Sequence, residues 1–437
     1  MRVIIAGGGL AGLTAALRAT ELGAQVTLLE KGDRPGGSFV YSSGYVWSYM
    51  DLPTFRREAP GGDITLQRLI LERLGSCLTW LKDQGGALLA RETGNPLTFG
   101  ARFDPERTVQ ALVDRLEASG GEILTETAFR ALLEDSAGRM TGVLARPSGG
   151  ESEHTADAVI LASGGFAGDP ELVGRHIIGG PGRMLVRAHP RSTGEGLRAA
   201  LEKGALASAG LGEFYGRNLP APPATFPPER FVEVSQLYGR YAVAINARGE
   251  RYADEGADWS ETALTQATAH QPGLYAWYVL DSRGLQARVR ERTAKEMVET
   301  ARSTGGTVIE AASLTQLAYR LDEYGVPREI FLRTLEEYNA AVAAGEDPSP
   351  PRSGQVRPLC VPPFVAVKVA PSITHTVGGL AVDAGCRVLR RTDRRPIPGL
   401  YAAGVEVGGV SVGGYASGLA SALVFGRTAA ESAVADG

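Results

Sequence analysis

The chain has 437 residues, 43% of them apolar, with 45 Lys and Arg against 49 Asp and Glu and a formal charge of -4. It is too apolar for a disordered chain, and it lacks the basic excess of most nucleic-acid binders. Its 57 glycines and 25 prolines stay below low-complexity levels, so the glycines are read by position.

Val3-Ile4-Ile5-Ala6 is an apolar run of the buried-strand type. Gly7-Gly8-Gly9-Leu10-Ala11-Gly12 follows. Leu10, Leu13, Ala16, Leu17 and Thr20 then share one helical face, up to a stop at Gly23. Val26-Thr27-Leu28-Leu29 predicts a second buried strand, ending at Glu30. An apolar stripe predicts an amphipathic helix over 65–82, and a shorter helix is expected over 108–118. Glu122–Thr127, Met140–Ala145 and Val159–Ala162 read as strands, the last running into Ser163-Gly164-Gly165. Pro220–Pro228 reads as a surface loop, 313–343 as two helices and Asp347–Pro351 as a linker. Beyond Pro362 the strand-and-glycine pattern returns at Leu400–Gly404 and Gly408–Gly418, before a final Ala/Gly-rich helix. This order predicts an α/β nucleotide-binding domain made from 1–204 and 356–437, with a second domain, 205–355, inserted between them. No solenoid repeat is visible.

Cys77, Cys360 and Cys386 are odd in number and show no CxxC spacing, which excludes a disulfide scaffold, a c-type haem site and a zinc ribbon. No metal site is expected. Reduced thiols suit a cytoplasmic enzyme. The apolar stretches at 3–19 and 416–430 are broken by glycine, so no membrane span is expected.

Gly7-x-Gly9-x-x-Gly12 between a strand and a helix, with Glu30 ending the next strand, is a dinucleotide signature. Gly7 permits a tight turn, Gly9 lets the backbone approach a pyrophosphate, and Gly12 allows the helix to pack on the strand. The helix N-terminus then presents unpaired N–H groups to phosphate, and Glu30 is placed to accept from a ribose hydroxyl.

Further along, Glu30-Lys31, Gly36-Gly37-Ser38, Ala162-Ser163-Gly164-Gly165-Phe166 and Ile397–Gly404 resemble the FAD-binding segments of the fumarate reductase/succinate dehydrogenase flavoprotein superfamily. That superfamily includes 3-ketosteroid Δ1-dehydrogenases and tricarballylate dehydrogenases. Asn246–Glu255 also resembles its N-x-x-G-x-R-F-x-[ND]-E segment. The resemblance implies a Rossmann-like FAD-binding domain, of the two-dinucleotide-binding-domain flavoprotein type, with an inserted α+β capping or substrate domain. It implies FAD contacts at Gly7, Gly9, Ala11, Gly12, Glu30, Lys31, Gly36, Gly37, Ser38, Gly44, Phe129, Ser163, Gly164, Gly404, Glu406, Gly418 and Leu419. Relatives with covalent flavin carry a histidine where Ser42-Ser43-Gly44 stands, and no histidine precedes His154, so non-covalent FAD is expected. In relatives the last helix points its N-terminus at the flavin pyrimidine edge, where reduction places negative charge. No second strand–glycine–helix unit is present, so electrons would pass to or from the substrate and an external carrier.

His375-Thr376-Val377-Gly378-Gly379 resembles the family's H-T-M-G-G, whose histidine holds a substrate carboxylate or carbonyl. Other catalytic positions depart from the fumarate reductase pattern. Trp259 stands four residues after Glu255, where those enzymes carry an arginine proton donor, and Tyr415 replaces their second substrate arginine. Their H-P-T histidine is replaced near Phe214-Tyr215-Gly216. Val405 takes the place of a ribose-binding Glu, with Glu406 next to it. With the paired arginines gone, the expected substrate is a small neutral or monoanionic molecule. The reading is hydride transfer between flavin N5 and a carbon next to a carbonyl or carboxylate. His375 would hold the activating oxygen, Tyr415 would bind the same group, and Tyr215 would be an acid or base. The alternatives are a 3-ketosteroid Δ1-dehydrogenase-like enzyme and an electron-transfer subunit whose partners carry the other redox centres. A flavin monooxygenase is disfavoured because its G-D-A-x-H segment is missing at Gly404–Glu406.

Overall fold

The computed structural model describes residues 1–147, 149–180 and 184–437. Contacts divide it into two units: 1–177, 188–214 and 375–437 form one, and 178–187 with 215–374 form the other.

The first unit is built on a six-stranded sheet. Its order is Arg387–Leu389, Pro396–Ala402, Ala158–Leu161, Arg2–Ala6, Gln25–Leu29, Glu122–Leu124. The neighbours from 396–402 to 122–124 run parallel, and only the 387–389 edge is antiparallel. Ala158–Leu161 is buried at every residue, as a strand covered on both faces must be. Both chain ends meet here, since Ile5 pairs with Ile160 and Ile160 with Tyr401.

Helix Leu10–Glu21 and the final helix Gly418–Asp436 pack together against this sheet. Glycine sets their approach, because a Cβ on Gly426 would stand 2.6 Å from the Ala11 carbonyl oxygen and 3.0 Å from Thr14 Cβ. Glu431 on the final helix pairs with Arg18, Arg73 and Arg427, which ties it to helix Ile64–Asp83. That helix starts where expected because Asp63 accepts from Thr65 N and Leu66 N. It buries Leu66, Ile70, Leu74, Cys77 and Leu81. Asp104 caps Pro105–Ala118 in the same way. The strand expected over Glu122–Thr127 stops at Leu124, because Glu126 turns left-handed (φ 51°) and Thr127 N bonds Glu30 O. The antiparallel sheet of Tyr45–Tyr49, Leu88–Ala90 and Thr98–Phe103 is not predicted from the sequence.

The second unit is centred on the long strand Phe364–Thr376, whose last two residues belong to the first unit. It pairs with Leu185–Val186, Ala276–Leu280, Val308–Ala311 and Phe214–Pro220, while Val243–Ile245 joins beyond 276–280. Period-two alternation divides its core. Val243, Ile245, Trp277, Val279, Phe364 and Ala366 pack with helices Leu314–Asp322 and Arg328–Ala344. Ala244, Ala276, Tyr278, Val365 and Val367 pack with helix Ala294–Ser303.

The division departs from the expected 205–355 insert at both ends. Residues 205–214 stay with the first unit, since Leu206 N bonds Leu389 O and Ser208 N bonds Gly379 O. Residues 356–374 go to the second, because Val365–Val369 pair with Ala276–Leu280. Of the cysteines, Cys77 and Cys386 are buried and Cys360 is exposed, all three free.

Gly426→Val should destabilise the protein by about 1–3 kcal/mol through overpacking. Urea unfolding checks this, and an unchanged midpoint refutes the close-packing account of the two helices.

Candidate functional site

In the first unit, strand Arg2–Ala6 turns into helix Leu10–Glu21 through Gly7, whose φ is 109°. A Cβ on Gly7 would lie 2.5 Å from Ala162 O, and one on Gly12 only 1.8 Å from Gly7 O. Gly9, the N-cap, offers no side-chain cap, so the helix N-terminus keeps unpaired N–H groups. Gly9 bridges Gly36 in parallel, and Gly37, with φ 52°, approaches Gly9 closely. The two glycine segments are therefore adjacent.

Glu30 is buried at this turn. Its Oε2 accepts from Gly8 N (2.9 Å) and its Oε1 from Gly32 N (2.6 Å). A carboxylate has lone pairs left over for a hydroxyl donor. Lys31 is engaged elsewhere, donating to Glu195 (2.7 Å) and Thr193 (2.9 Å). It thus fastens the strand end to the Thr193–Gly196 segment. Ser38 Oγ accepts from His189 N at 2.9 Å. Gly44 has a packing reason of its own, since a Cβ there would meet Phe103 O at 1.9 Å. Phe129 is buried on strand Ala128–Glu134, opposite Ala145.

Across the sheet, Ser163 donates to Glu406 Oε2 at 2.6 Å. Glu406 is fully buried and its Oε1 has no partner. Burial pushes its carboxyl up, against the opposing hydrogen bonds from Ser163, Gly165 and Gly164. Buried Thr376 Oγ1 likewise has no partner, and a Cβ on Gly165 would fall 2.6 Å from it. Gly404 (φ 67°) brings the 403–407 segment against Ala11, where a Cβ would stand 2.8 Å from Ala11 Cβ. The family pattern has its acidic residue one position earlier, where Val405 stands. The structure turns Glu406 onto the Ser163 loop, among the expected cofactor residues.

His375 lies over the start of the final helix. Its Nδ1 and Cε1 are 3.2 Å from the point a Cβ on Gly418 would occupy. Ser417 caps that helix by accepting from Ala420 N, and Leu419 lies in its first turn, half-buried. Tyr415 sits two residues before the cap. Its carbonyl accepts from Tyr49 OH (2.7 Å), and its ring stands edge-on to Trp47 at 5.2 Å. His375 and Tyr415 thus both belong to the neighbourhood of 415–418.

Tyr215 belongs to the second unit, on strand Phe214–Pro220 with the Arg217 guanidinium 5.1 Å over its ring. The same unit holds a residue that sequence reasoning missed. Glu261 is buried in a left-handed conformation (φ 54°), uncommon for a residue with a side chain. Burial raises its carboxyl from 4.5 to about 7, partly offset by Arg217 and Arg240 and reinforced by Asp258. A lone Glu in Asp-Trp-Ser-Glu-Thr carries no signal of this in the sequence.

Below pH about 4.5 the Glu261 carboxyl holds its proton in both folded and unfolded chains. As pH rises towards 7, the unfolded chain releases that proton first, so stability falls. Between about pH 5 and 8, Glu261→Gln should remove up to ~3 kcal/mol of this fall, read from urea unfolding. Equal slopes for the two proteins refute the burial account.

The first unit therefore holds a cradle that fits a dinucleotide. It has glycines at each close backbone approach, an open helix N-terminus, and buried oxygens on Glu406 and Thr376 without partners. Among the described residues no cluster of His, Cys, Asp or Glu has metal-site geometry, and no helix is long and apolar enough to cross a membrane.

A family model, the FAD binding domain, matches residues 2–423. The chain is 27% identical to an NADH:fumarate oxidoreductase of Klebsiella pneumoniae (strain 342), covering 99% of this chain and 47% of that protein. It is 28% identical to an NADH:acrylate oxidoreductase of Vibrio harveyi, covering 85% of this chain and 37% of that one. The chain thus spans less than half the length of these two relatives. The fold is shared with a 3-ketosteroid Δ1-dehydrogenase of Sterolibacterium denitrificans, at a TM-score of 0.78 and 18% identity over 100% of this chain and 99% of that one. The family match runs from the first strand into the final helix, through every segment of the cradle, and the chain belongs to the FAD binding domain family, with FAD as its cofactor.

Proposed function

We propose that the chain is an FAD-dependent oxidoreductase that forms or removes a carbon–carbon double bond next to a carbonyl or carboxylate. Bound FAD supplies two-electron hydride exchange. The reading rests on one observation above all: His375 packs against Gly418 at the N-terminus of the final helix. An imidazole and a helix N-terminus together make a site for an oxygen that gains negative charge. The names of the two sequence relatives, for fumarate and acrylate, agree with chemistry at such a bond.

In this reading the Gly7–Gly12 turn and Gly36–Ser38 hold the pyrophosphate, and Glu30 the ribose. Ala11, Phe129, Ser163, Gly164, Gly404, Glu406 and Leu419 line the rest of a Rossmann-like domain, without a covalent link. Lys31, Gly44 and Gly418 complete the proposed cofactor contacts, with Lys31 and Gly44 also holding the shape of the cradle. His375 fixes the activating oxygen, and Tyr415 binds the same group. Tyr215 is the proposed acid or base. A neutral or monoanionic substrate is favoured because Trp259 and Tyr415 replace the arginines that would clamp two carboxylates. The same replacement supports a second reading, a ketosteroid-type dehydrogenase. An external carrier completes the turnover.

Anaerobic mixing of the yellow protein with saturated acids, ketones and steroids tests this reading. Bleaching of the flavin by one class identifies the dehydrogenase direction, while reoxidation of reduced protein by enones or unsaturated acids identifies the reductase. Silence in both directions refutes it. His375→Asn should keep its flavin and lose turnover by about a hundredfold or more; full turnover removes its assignment. Gly12→Ala should purify colourless, and acid precipitation of the parent should release free flavin. Flavin retained in the pellet contradicts the non-covalent reading.

A further inference from the structure

A second polar constellation lies wholly within 215–374 and takes no part in the chemistry above. It surrounds a cavity of about 330 Å³, within the ~300–1,000 Å³ range of small-ligand pockets. Three arginines line it, Arg283, Arg352 and Arg357, with Tyr241 and Tyr338 beside them. Asp281 is the one acidic lining side chain among the described residues. It is already occupied, accepting from Arg283 Nη2 (3.0 Å) and from the backbone N–H groups of Arg283 (3.1 Å) and Gly284 (2.9 Å).

Arg352 is the telling residue. It is only 7% exposed. Its Nη1 donates to Tyr338 OH (3.1 Å) and its Nη2 to Arg240 O (2.8 Å), but its buried Nε–H has no acceptor. Glu255 Oε2 lies 3.6 Å from Nη1, yet that carboxylate is already held by Arg251 through Nε (2.9 Å) and Nη2 (2.7 Å). Arg251 and Arg352, both buried, thus share the buried carboxylate of Glu255, and the Arg352 Nε–H is left for another acceptor. Asp254 accepts from Ser353 N, Ser353 Oγ and Gly256 N, and its charge acts on Arg251. Arg283 and Arg357 are exposed at the mouth; Arg283 is paired with Asp281, so the added positive charge there is that of Arg357.

We propose that this cavity binds a small oxyanion, a carboxylate or phosphate group on a metabolite-sized molecule. Arg352 meets the anion at depth, and Arg283 and Arg357 meet it at the rim. The proposal stands independently of the flavin chemistry. Arginine suits the role because its planar fork matches either oxyanion with paired hydrogen bonds.

Isothermal titration of the flavin-loaded protein with inorganic phosphate and, separately, with citrate tests it. At least one should bind saturably at one site. Phosphate alone points to a phosphoryl ligand and citrate alone to a carboxylate. Arg352 also contacts the Glu255 pair, so the exposed arginines are the cleaner variants. Arg283→Gln combined with Arg357→Gln should weaken binding at least tenfold, while the visible flavin spectrum and turnover stay as in the parent. Equal affinity in the double variant, or no saturable heat from either probe in the millimolar range, overturns the proposal.

Discussion

The site depends on how closely backbone passes backbone where the first strand becomes the first helix. A methyl group on Gly12 would sit 1.8 Å from the Gly7 carbonyl, and one on Gly7 would sit 2.5 Å from that of Ala162. Without those side chains the helix N-terminus, the Gly36–Gly37 turn and the Ser163 loop converge on one place. Any heavier residue forces the strand and helix apart, and the unpaired N–H groups then no longer point at a shared ligand. Gly426 extends the same constraint to the other end of the chain, because it sets how near the final helix lies to the first.

Buried carboxylates follow from that convergence. Glu30 and Glu406 sit inside the cradle, and each is held by groups that belong to the turns: Gly8 and Gly32 for the one, Ser163 for the other. Such groups are costly to bury alone. The unpaired Glu406 oxygen has a physical reason in a family that binds FAD, since a ribityl or ribose hydroxyl can donate to it. Displacement of the acidic residue by one position, with Val405 in its usual place, therefore does not by itself remove a carboxylate from the site.

Much of this was legible in the sequence, because the responsible interactions are local. The strand–glycine–helix signature, the capped helix after Asp63 and the final Ala/Gly helix all depend on residues within a turn or two of one another. What was not legible depends on partners far away. Tyr45–Tyr49 becomes a strand because Thr98–Phe103 pairs with it, and 356–374 joins the second unit because Val365–Val369 finds Ala276–Leu280. Lys31 and Gly44 match the family pattern, yet Glu195 and Phe103 account for their conformations. Glu261 was invisible for a different reason. It stands left-handed and buried at the N-cap of helix Thr262–Ala269, and no spacing rule announces a strained residue.

The two proposed sites offer an anion different side chains. In the first unit Tyr415 stands where the family pattern has a substrate arginine, so in the proposed reading charge on a reacting molecule is met by an imidazole, a hydroxyl and a helix end. Around Arg352 the chain lines a cavity with three guanidinium groups and leaves the buried Arg352 Nε–H without an acceptor, which is costly unless a ligand answers it. A fold that gives up strong cationic clamps near its proposed reactive centre, while keeping a cationic cavity in its second unit, separates charge recognition from the bond being made or broken. Directional, weaker contacts suit a group whose charge changes during reaction, because they strengthen as that charge develops. Fixed guanidinium groups suit a ligand whose charge does not change.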